Sequence, residues 1–304
     1  MKRGEGMDRR DFMKFLGMAG ALSLSFVMGC DGDDRNFART VSFGVMTDQH
    51  YGDFPDAPST PRYFRAGVAK VAEAVAEWNA RNVSFVVSLG DMVQQTVDDD
   101  VSKSRLWADQ MYAEFAKFHG PVYLAMGNHD VMEQSKEEFL ARSCSAIKEK
   151  YYHWDVGKYR FIVLDGDYES DTKEYYLKNF DWKKSWIPAL EQTWLMGTLQ
   201  QARILGREAV VFCHQNFQAT SNYDVANHSA IREIFEQSGI VRAVFGGHRH
   251  VYSTVCTTRI NGIYYAGLNV VVNQPENAYG IVTISEDSVE IKGYGVQRSE
   301  LLPR

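Results

Sequence analysis

A chain of 304 residues with 45% hydrophobic and 24% charged content has the makeup of a globular protein long enough for a proper core. Its net charge of -6 gives no basic excess of the kind nucleic-acid binding draws on, so no nucleic-acid partner is expected. An anionic ligand would have to be attracted by a local site. The cysteines, Cys30, Cys144, Cys213 and Cys256, fall at no zinc-ribbon or CxxC spacing and read as mostly buried thiols.

Residues 1–30 read as a targeting segment. Asp8-Arg9-Arg10-Asp11-Phe12-Met13-Lys14 resembles the twin-arginine export signature. The apolar stretch from Phe15 to Met28 that follows is shorter than the roughly 20 residues a membrane-spanning helix needs. It ends in Val27-Met28-Gly29-Cys30, which resembles a bacterial lipobox with Cys30 as the lipidated residue. The expectation is export by the twin-arginine route to the periplasmic or extracytoplasmic side and attachment to the membrane through a lipid anchor. Residues 31–40 would be a tether, and 41–304 a single domain.

Within that domain, apolar runs repeatedly stop at polar residues. Val41 to Met46 runs into Thr47-Asp48-Gln49-His50, a strand followed by a polar loop. Phe64, Val68, Val71, Val75 and Trp78 recur at helical spacing, predicting an amphipathic helix over 62–79. Phe85 to Leu89 then meets Gly90-Asp91, a second helix is expected over 101–118, and Val122 to Met126 stops at Gly127-Asn128-His129-Asp130. A helix is expected over 139–147 and a strand over 159–164 ending in Asp165.

The segment 166–188 has no clear period and reads as an insertion or lid. A helix over 190–205 precedes the strand Ala209 to Cys213, which delivers His214. A helix over 229–237 precedes Val241 to Phe245, which ends in Gly246-Gly247-His248-Arg249-His250. Short strands over 262–266, 279–284 and 289–294 close the chain. Alternating helices and strands followed by strands alone predict stacked sheets with helices outside.

The polar residues at these strand ends are Asp48, His50, Asp91, Asn128, His129, His214, His248 and His250, and they include five of the eight histidines. Carboxylates, imidazoles and an amide oxygen in this number form an inventory for two divalent metal ions, suited to Mn, Fe or Zn rather than Ca or Mg. A metal pair of this kind clamps the attacking and leaving oxygens of an in-line displacement.

The ordered set Asp48-Gln49-His50, Gly90-Asp91, Gly127-Asn128-His129-Asp130, His214 and Gly247-His248-Arg249-His250 resembles the calcineurin-like metallophosphoesterase superfamily. The resemblance implies an α/β, four-layer α-β-β-α sandwich: two stacked mixed sheets, helices outside, and the metal site at the C-terminal ends of the strands. It implies that Asp48, His50 and His250 hold one ion, that Asn128, His214 and His248 hold the other, and that Asp91 bridges. Hydrolysis of a small phosphorylated or nucleotide-like substrate would follow, with a metal-bridged hydroxide attacking phosphorus. His129, not needed as a ligand, would then act as the general acid or stabilise the transition state, with Asp130 orienting and charging its ring; a structural histidine capping the following helix is the alternative.

A narrower likeness lies in Arg62-Tyr63-Phe64-Arg65, Glu77-Trp78-Asn79, and Gly267-Leu268-Asn269 with Ala278-Tyr279-Gly280. These stretches are similar to the manganese-dependent ADP-ribose/CDP-alcohol diphosphatases. That subfamily carries Gln at the place of His50 and His-x-Pro at His214-Gln215-Asn216. Purple acid phosphatases are a more distant likeness. Gln94 stands where they carry a tyrosine, so no iron-tyrosinate chromophore is expected.

Arg249, inside the metal motif, is a candidate phosphate ligand. Trp182, Trp186 and the Tyr175-Tyr176 pair read as pinning the 166–188 segment, with nucleobase stacking as the alternative. His119 and His153 read as packing or surface residues, and His228 as part of a helix start. A phosphomonoesterase is the alternative enzyme reading, and a surface-anchored binding protein on the same fold is the alternative from another class.

Overall fold

Val41–Met46 (β1) sets the frame. Val41, Phe43 and Val45 point to one apolar cluster and Met46 to another, as expected of a strand covered on both faces. The computed structural model describes residues 38–55, 62–219, 221–250 and 256–304. The leader 1–30, Cys30 and residues 31–37 of the expected tether lie outside the described residues.

Two sheets stack face to face. The first takes β1, β2 (Val86–Ser88), β3 (Val122–Leu124), β12 (Ala278–Ile284), β13 (Ser288–Gly295) and β14 (Glu300–Pro303), in the spatial order β14-β13-β12-β1-β2-β3. The second takes β4 (Tyr152–Val156), β5 (Tyr159–Val163), β8 (Glu208–Phe212), β9 (Val241–Gly246), β10 (Cys256–Ile260) and β11 (Ile263–Gly267), in the order β10-β11-β9-β8-β5-β4. Both are mixed. β1, β2 and β3 run parallel, as do β5, β8, β9 and β11, whereas β12 meets β1 and β4 meets β5 antiparallel.

Phenylalanines fill the space between the sheets. The Phe43 ring stacks on Phe85 at 5.0 Å and meets Phe161 and Phe212 edge-on at 5.5 Å each. Burying such a side chain stabilises the fold by about 1.5–3 kcal/mol. On the outer face of the first sheet lie α1 (Gly67–Ala80) and α2 (Val101–Phe115), whose Val71, Trp78, Trp107 and Met111 pack over Met46, Val86 and Leu124. α4 (Ala189–Ile204) and α5 (His228–Ser238) cover the second sheet, with Leu195, Leu199, Ile231 and Phe235 over Ile162, Val211 and Val244. This is the expected four-layer α-β-β-α sandwich.

Several local expectations change. The helix expected over 139–147 is α3 (Lys136–Arg142). Ser135 starts it, its Oγ accepting from the Glu138 N–H at 3.1 Å with Glu137 and Glu138 in the first turn. Strands β4, β10 and β14 were not expected.

The 166–188 segment is tied down. It holds the hairpin β6 (Tyr168–Ser170) and β7 (Lys173–Glu174), and the fully buried Tyr175 stacks on Phe180 at 4.0 Å. Trp186 Nε1 donates to Asp171 at 3.0 Å. Cys144 and Cys213 are free thiols, and burial raises Cys144 to about 11.

Candidate metal centre

All the expected ligands leave the C-terminal ends of parallel strands, so they converge on one edge of the sandwich. Asp48 and His50 follow β1, Asp91 follows β2, Asn128 follows β3, His214 follows β8, and His248 and His250 follow β9. The turns that aim them are unusual. Asp48, His50, Asp91 and His248 all have left-handed backbone, with φ of 55°, 45°, 53° and 64°. Non-glycine residues adopt that region at an energetic cost of order 1–3 kcal/mol, and such strain collects at functional sites.

Two glycines let the loops close on one another. A Cβ on Gly247 would lie 2.0 Å from Thr47 Oγ1 and 2.5 Å from Asp48 Oδ2, and one on Gly127 would lie 2.3 Å from Asp91 Oδ1.

Two ligand clusters result. Asp48, His50, Asp91 and His250 form one, and Asp91, His214 and His248 form the other, each with ligand atoms within 4.8 Å of one another. Asp91 belongs to both. Its Oδ2 lies 3.5 Å from His50 Nε2 and 3.2 Å from His214 Nε2. His50 Nε2 and His250 Nε2 face each other at 3.1 Å, and His214 Nε2 faces His248 Nδ1 at 3.0 Å.

The outer nitrogens are fixed by acceptors. His50 Nδ1 donates to Gln94 Oε1 at 2.9 Å and His214 Nδ1 to the Leu89 carbonyl at 2.8 Å, which leaves both Nε2 lone pairs for a cation.

The residues fit a pair of divalent cations. Asp48 Oδ1 and Asn128 Oδ1 are buried and have no hydrogen-bond partner among the described residues. Such orphaned acceptors, beside imidazole lone pairs that crowd one another, call for positive charge. The protein charges show the same need. Burial opposes the ionised form of Asp48, yet His250 and His50 hold its carboxyl well below the usual range. Burial also opposes the charged form of His214, yet Asp91 raises it to about 10. Burial lowers His248 and His129 to about 3 each.

Asn128 sits buried just past β3 with its side-chain oxygen unmatched, as an amide ligand beside these clusters would. The His129 ring stands edge-on to His50 with centroids 4.5 Å apart, and its buried Nδ1 has no partner among the described residues.

Asp130 departs from expectation. Its carboxylate accepts the backbone N–H groups of Asp91, Met92 and Gly127 at 2.8, 3.0 and 3.0 Å, so it ties the Asp91 loop to the His129 loop and does not orient the imidazole. Burial, with the nearby charge of Asp91, raises Asp130 to about 7.

Arg249 is engaged by the protein: its Nη2 donates to Ser221 Oγ at 3.0 Å and pairs with Asp224 at 3.2 Å, with the side chain 12% exposed. His228 begins α5, His119 is exposed, and His153 stands beside Trp194 with centroids 6.0 Å apart.

Four further residues stand around the centre, and only Trp182 among them carries a substrate reading from the sequence, as the nucleobase-stacking alternative. Arg62 Nη1 lies 2.6 Å from His250 Nδ1, and Asn273 Oδ1 lies 3.1 Å from the same nitrogen. Trp182 and Tyr223, half-buried, stand edge-on to His248 with centroids 5.5 and 5.4 Å away. Arg62 belongs to the stretch of narrower likeness, the one sequence signal that pointed to it. On the His50 side a cleft of about 510 Å³ opens, lined by Phe54, Phe64, Gln94, Met132 and Lys178 among others.

Residues 41–252 match the family described as calcineurin-like phosphoesterase. A manganese-dependent ADP-ribose/CDP-alcohol diphosphatase of Oryza sativa subsp. japonica is 26% identical over 295 residues, covering 83% of this chain and 90% of the relative. A serine/threonine-protein phosphatase of Bos taurus is 31% identical over 216 residues, covering 67% of this chain and 62% of the relative. The crystal structure of a dimetal phosphatase from Danio rerio superposes with a TM-score of 0.76 at 20% identity, covering 86% of this chain and 98% of that one.

Proposed function

From the premise that the chain belongs to the calcineurin-like phosphoesterase family, we propose that it is a manganese-dependent hydrolase of the phosphoanhydride bond in nucleoside diphosphate derivatives. The carrying observation is Asp91, shared by two ligand clusters at one sheet edge beside an aromatic-lined cleft. Two divalent ions held there would supply Lewis acidity and a water acidified to near neutral pKa.

The chain's own residues do the rest. Against two divalent ions, the two carboxylates Asp48 and Asp91 leave a positive pocket, which draws an anionic diphosphate toward the strand ends. Gln94 and the Leu89 carbonyl keep the His50 and His214 rings in the ligating tautomer. Asp130, by gathering three backbone N–H groups, holds Asp91 between the two clusters.

His129, against His50 and outside both ligand clusters, is the proton donor to the leaving oxygen. Burial opposes the charged form of its ring. Phe54 and Phe64, with ring centroids 5.3 Å apart, offer the cleft's aromatic faces to a nucleoside.

The relative in Oryza sativa supports the anhydride substrate, and the one in Bos taurus favours a phosphomonoesterase as the second reading. The discriminating experiment depletes the full chain of metal, restores manganese, iron or zinc, and assays ADP-ribose, a CDP-alcohol, nitrophenyl phosphate and a phosphoserine peptide. The first two should turn over fastest with manganese. Faster turnover of the monoesters would overturn the anhydride assignment.

We further infer from Arg9-Arg10 and Val27-Met28-Gly29-Cys30 that the chain is exported by the twin-arginine route and lipid-anchored at Cys30. Arg9 and Arg10 changed together to Lys should hold the precursor in the cytoplasm. A Cys30→Ala protein that fractionates like the unaltered one would overturn the anchor.

A further inference from the structure

The candidate metal centre lies between two aromatic pairs. On one side Phe54 and Phe64 line the cleft of about 510 Å³, with ring centroids 5.3 Å apart. On the other, the Trp182 and Tyr223 rings stand 5.1 Å apart, and each meets His248 edge-on, at 5.5 and 5.4 Å.

A run of short contacts joins the two sides. Gln94, which lines the cleft, lies 2.9 Å from His50 Nδ1, and His50 Nε2 lies 3.5 Å from Asp91 Oδ2. That oxygen lies 3.2 Å from His214 Nε2, which faces His248 Nδ1 at 3.0 Å. Asp91, shared by both ligand clusters, is thus in the middle, with an aromatic pair beyond each cluster.

The second pair is not core packing. Trp182 and Tyr223 are half-buried and belong to none of the apolar clusters, whereas Tyr175 and Phe180 of the same segment as Trp182 do. The backbone beside each ring is pinned. Asp181 accepts the Lys183 N–H at 3.1 Å, and its own N–H donates to Glu169 Oε1 at 2.6 Å. Asp224 accepts the Ser221 N–H at 2.8 Å and pairs with Arg249 at 3.2 Å. Two aromatic side chains held this way have little ordering left to undergo when a ligand arrives.

Charge narrows what the pair can take. Aromatic rings stack on planar bases, and they also attract cations such as a quaternary ammonium. Lys183 Nζ already lies 5.2 Å from the Trp182 ring centroid, so a cationic arm would meet a like charge there. A neutral planar ring meets no such opposition.

We propose that Trp182 and Tyr223 form a second nucleobase subsite, which makes the preferred substrate a dinucleotide, two nucleosides joined through a diphosphate. One base stacks on Phe54 and Phe64, the other on Trp182 and Tyr223, and the diphosphate spans the ligand clusters around Asp91. Hydrolysis of such a compound adds one water across the P–O–P bond and yields two nucleoside monophosphates. The subsite rests on the anhydride-hydrolase reading for the bond that is broken, but not for the binding of the bases.

The test measures equilibrium binding to the manganese-loaded full chain. Two diphosphate analogues are used in which a methylene group replaces the bridging oxygen and so blocks hydrolysis. One carries adenosine at both ends, the other adenosine at one end and ribose at the other. Calorimetry should find the two-base analogue bound about tenfold more tightly. Trp182→Ala and Tyr223→Ala should each remove most of that advantage, whereas Phe54→Ala should weaken both analogues alike. Trp182→Phe, which keeps a ring, should retain more of the advantage than Trp182→Ala.

A merely structural role for Trp182 would weaken both analogues to the same degree. Equal affinity of the unaltered protein for the two analogues overturns the second subsite. Equal losses for both analogues in Trp182→Ala and Tyr223→Ala overturn it as well. If the two-base preference and its loss are found while dinucleotides, ADP-ribose and CDP-alcohols all stay uncleaved, the anhydride reading fails and the subsite stands.

Discussion

His129 and Asp130 are adjacent in the chain yet do not meet through their side chains. The Asp130 carboxylate accepts the N–H groups of Asp91, Met92 and Gly127, while His129 gives its own backbone N–H to Asp91 Oδ1 at 2.7 Å. Both residues therefore converge on Asp91, one on its backbone and the other on its carboxylate. Asp130→Ala would leave three buried donors without an acceptor, a loss of stability on the order of 3 kcal/mol. It should lower the melting temperature, reduce retained metal, and slow substrates with good and poor leaving groups alike. A leaving-group-dependent loss with full metal content would return Asp130 to an imidazole-orienting role.

His129→Ala should behave in the opposite way. No ligand is removed, so elemental analysis should find the metal content of the unaltered protein. An alkoxide leaving group needs a proton in the transition state and a nitrophenolate needs little, so the loss should be larger for alkyl than for nitrophenyl diesters. General acid catalysis is worth about 10²–10⁴-fold, and the gap between the two substrates should be of that order. Equal losses on both substrates would make His129 an electrostatic group and not the proton donor.

Asp91 and His248 separate the shared ligand from a ligand of one cluster. Asp91 is common to both clusters, whereas His248 belongs to one. Asp91→Ala should therefore strip both ions under mild chelation, and His248→Ala should lose one and retain the other. Elemental analysis after dialysis against a graded chelator series reads the difference. Identical metal loss in both variants would mean that the two positions fill and empty as one.

The metal residues were legible in the sequence because each sits where an apolar run stops. Val41 to Met46 and Val241 to Gly246 read as buried strands, so the polar residues just past them emerge at a sheet edge. The partners were not legible. Asp165 also follows a buried strand, but its carboxylate is taken by Lys136 Nζ at 2.7 Å, a tertiary pairing with no local signature. Arg249 lies inside the motif yet is held by Asp224, while Arg62, far away in sequence, reaches His250.

Strand β4 was missed because its Tyr152-His153-Trp154-Asp155-Val156 run mixes exposed and buried positions at a sheet edge, where propensity is weak. The 166–188 segment lacked a period because it is held by particular contacts such as Tyr175 on Phe180, and not by a repeating apolar face.

The buried acids beside Lys136 give a prediction about pH. Asp165, Asp167 and Glu191 are all fully buried, and Lys136, itself 1% exposed, pairs with Asp165. Glu191 Oε1 accepts the Asp165 N–H at 2.9 Å, and its Oε2 has no partner among the described residues. Burial first, and then the charge of Asp165, holds the Glu191 carboxyl well above its ordinary 4.5. Above that ordinary value the unfolded chain releases this proton while the folded chain keeps it. The folded state then binds more protons, so stability falls as pH rises, by at most about 1.4 kcal/mol per pH unit. Below the ordinary value both states are protonated and the effect vanishes. Glu191→Gln mimics the protonated side chain, keeps an oxygen for the Asp165 N–H, and does not titrate. Its melting temperature should match the unaltered protein's near pH 4 and exceed it increasingly as pH is raised toward 8. A difference that is constant across that range, or that shrinks as pH rises, would show that Glu191 is ionised in the folded protein.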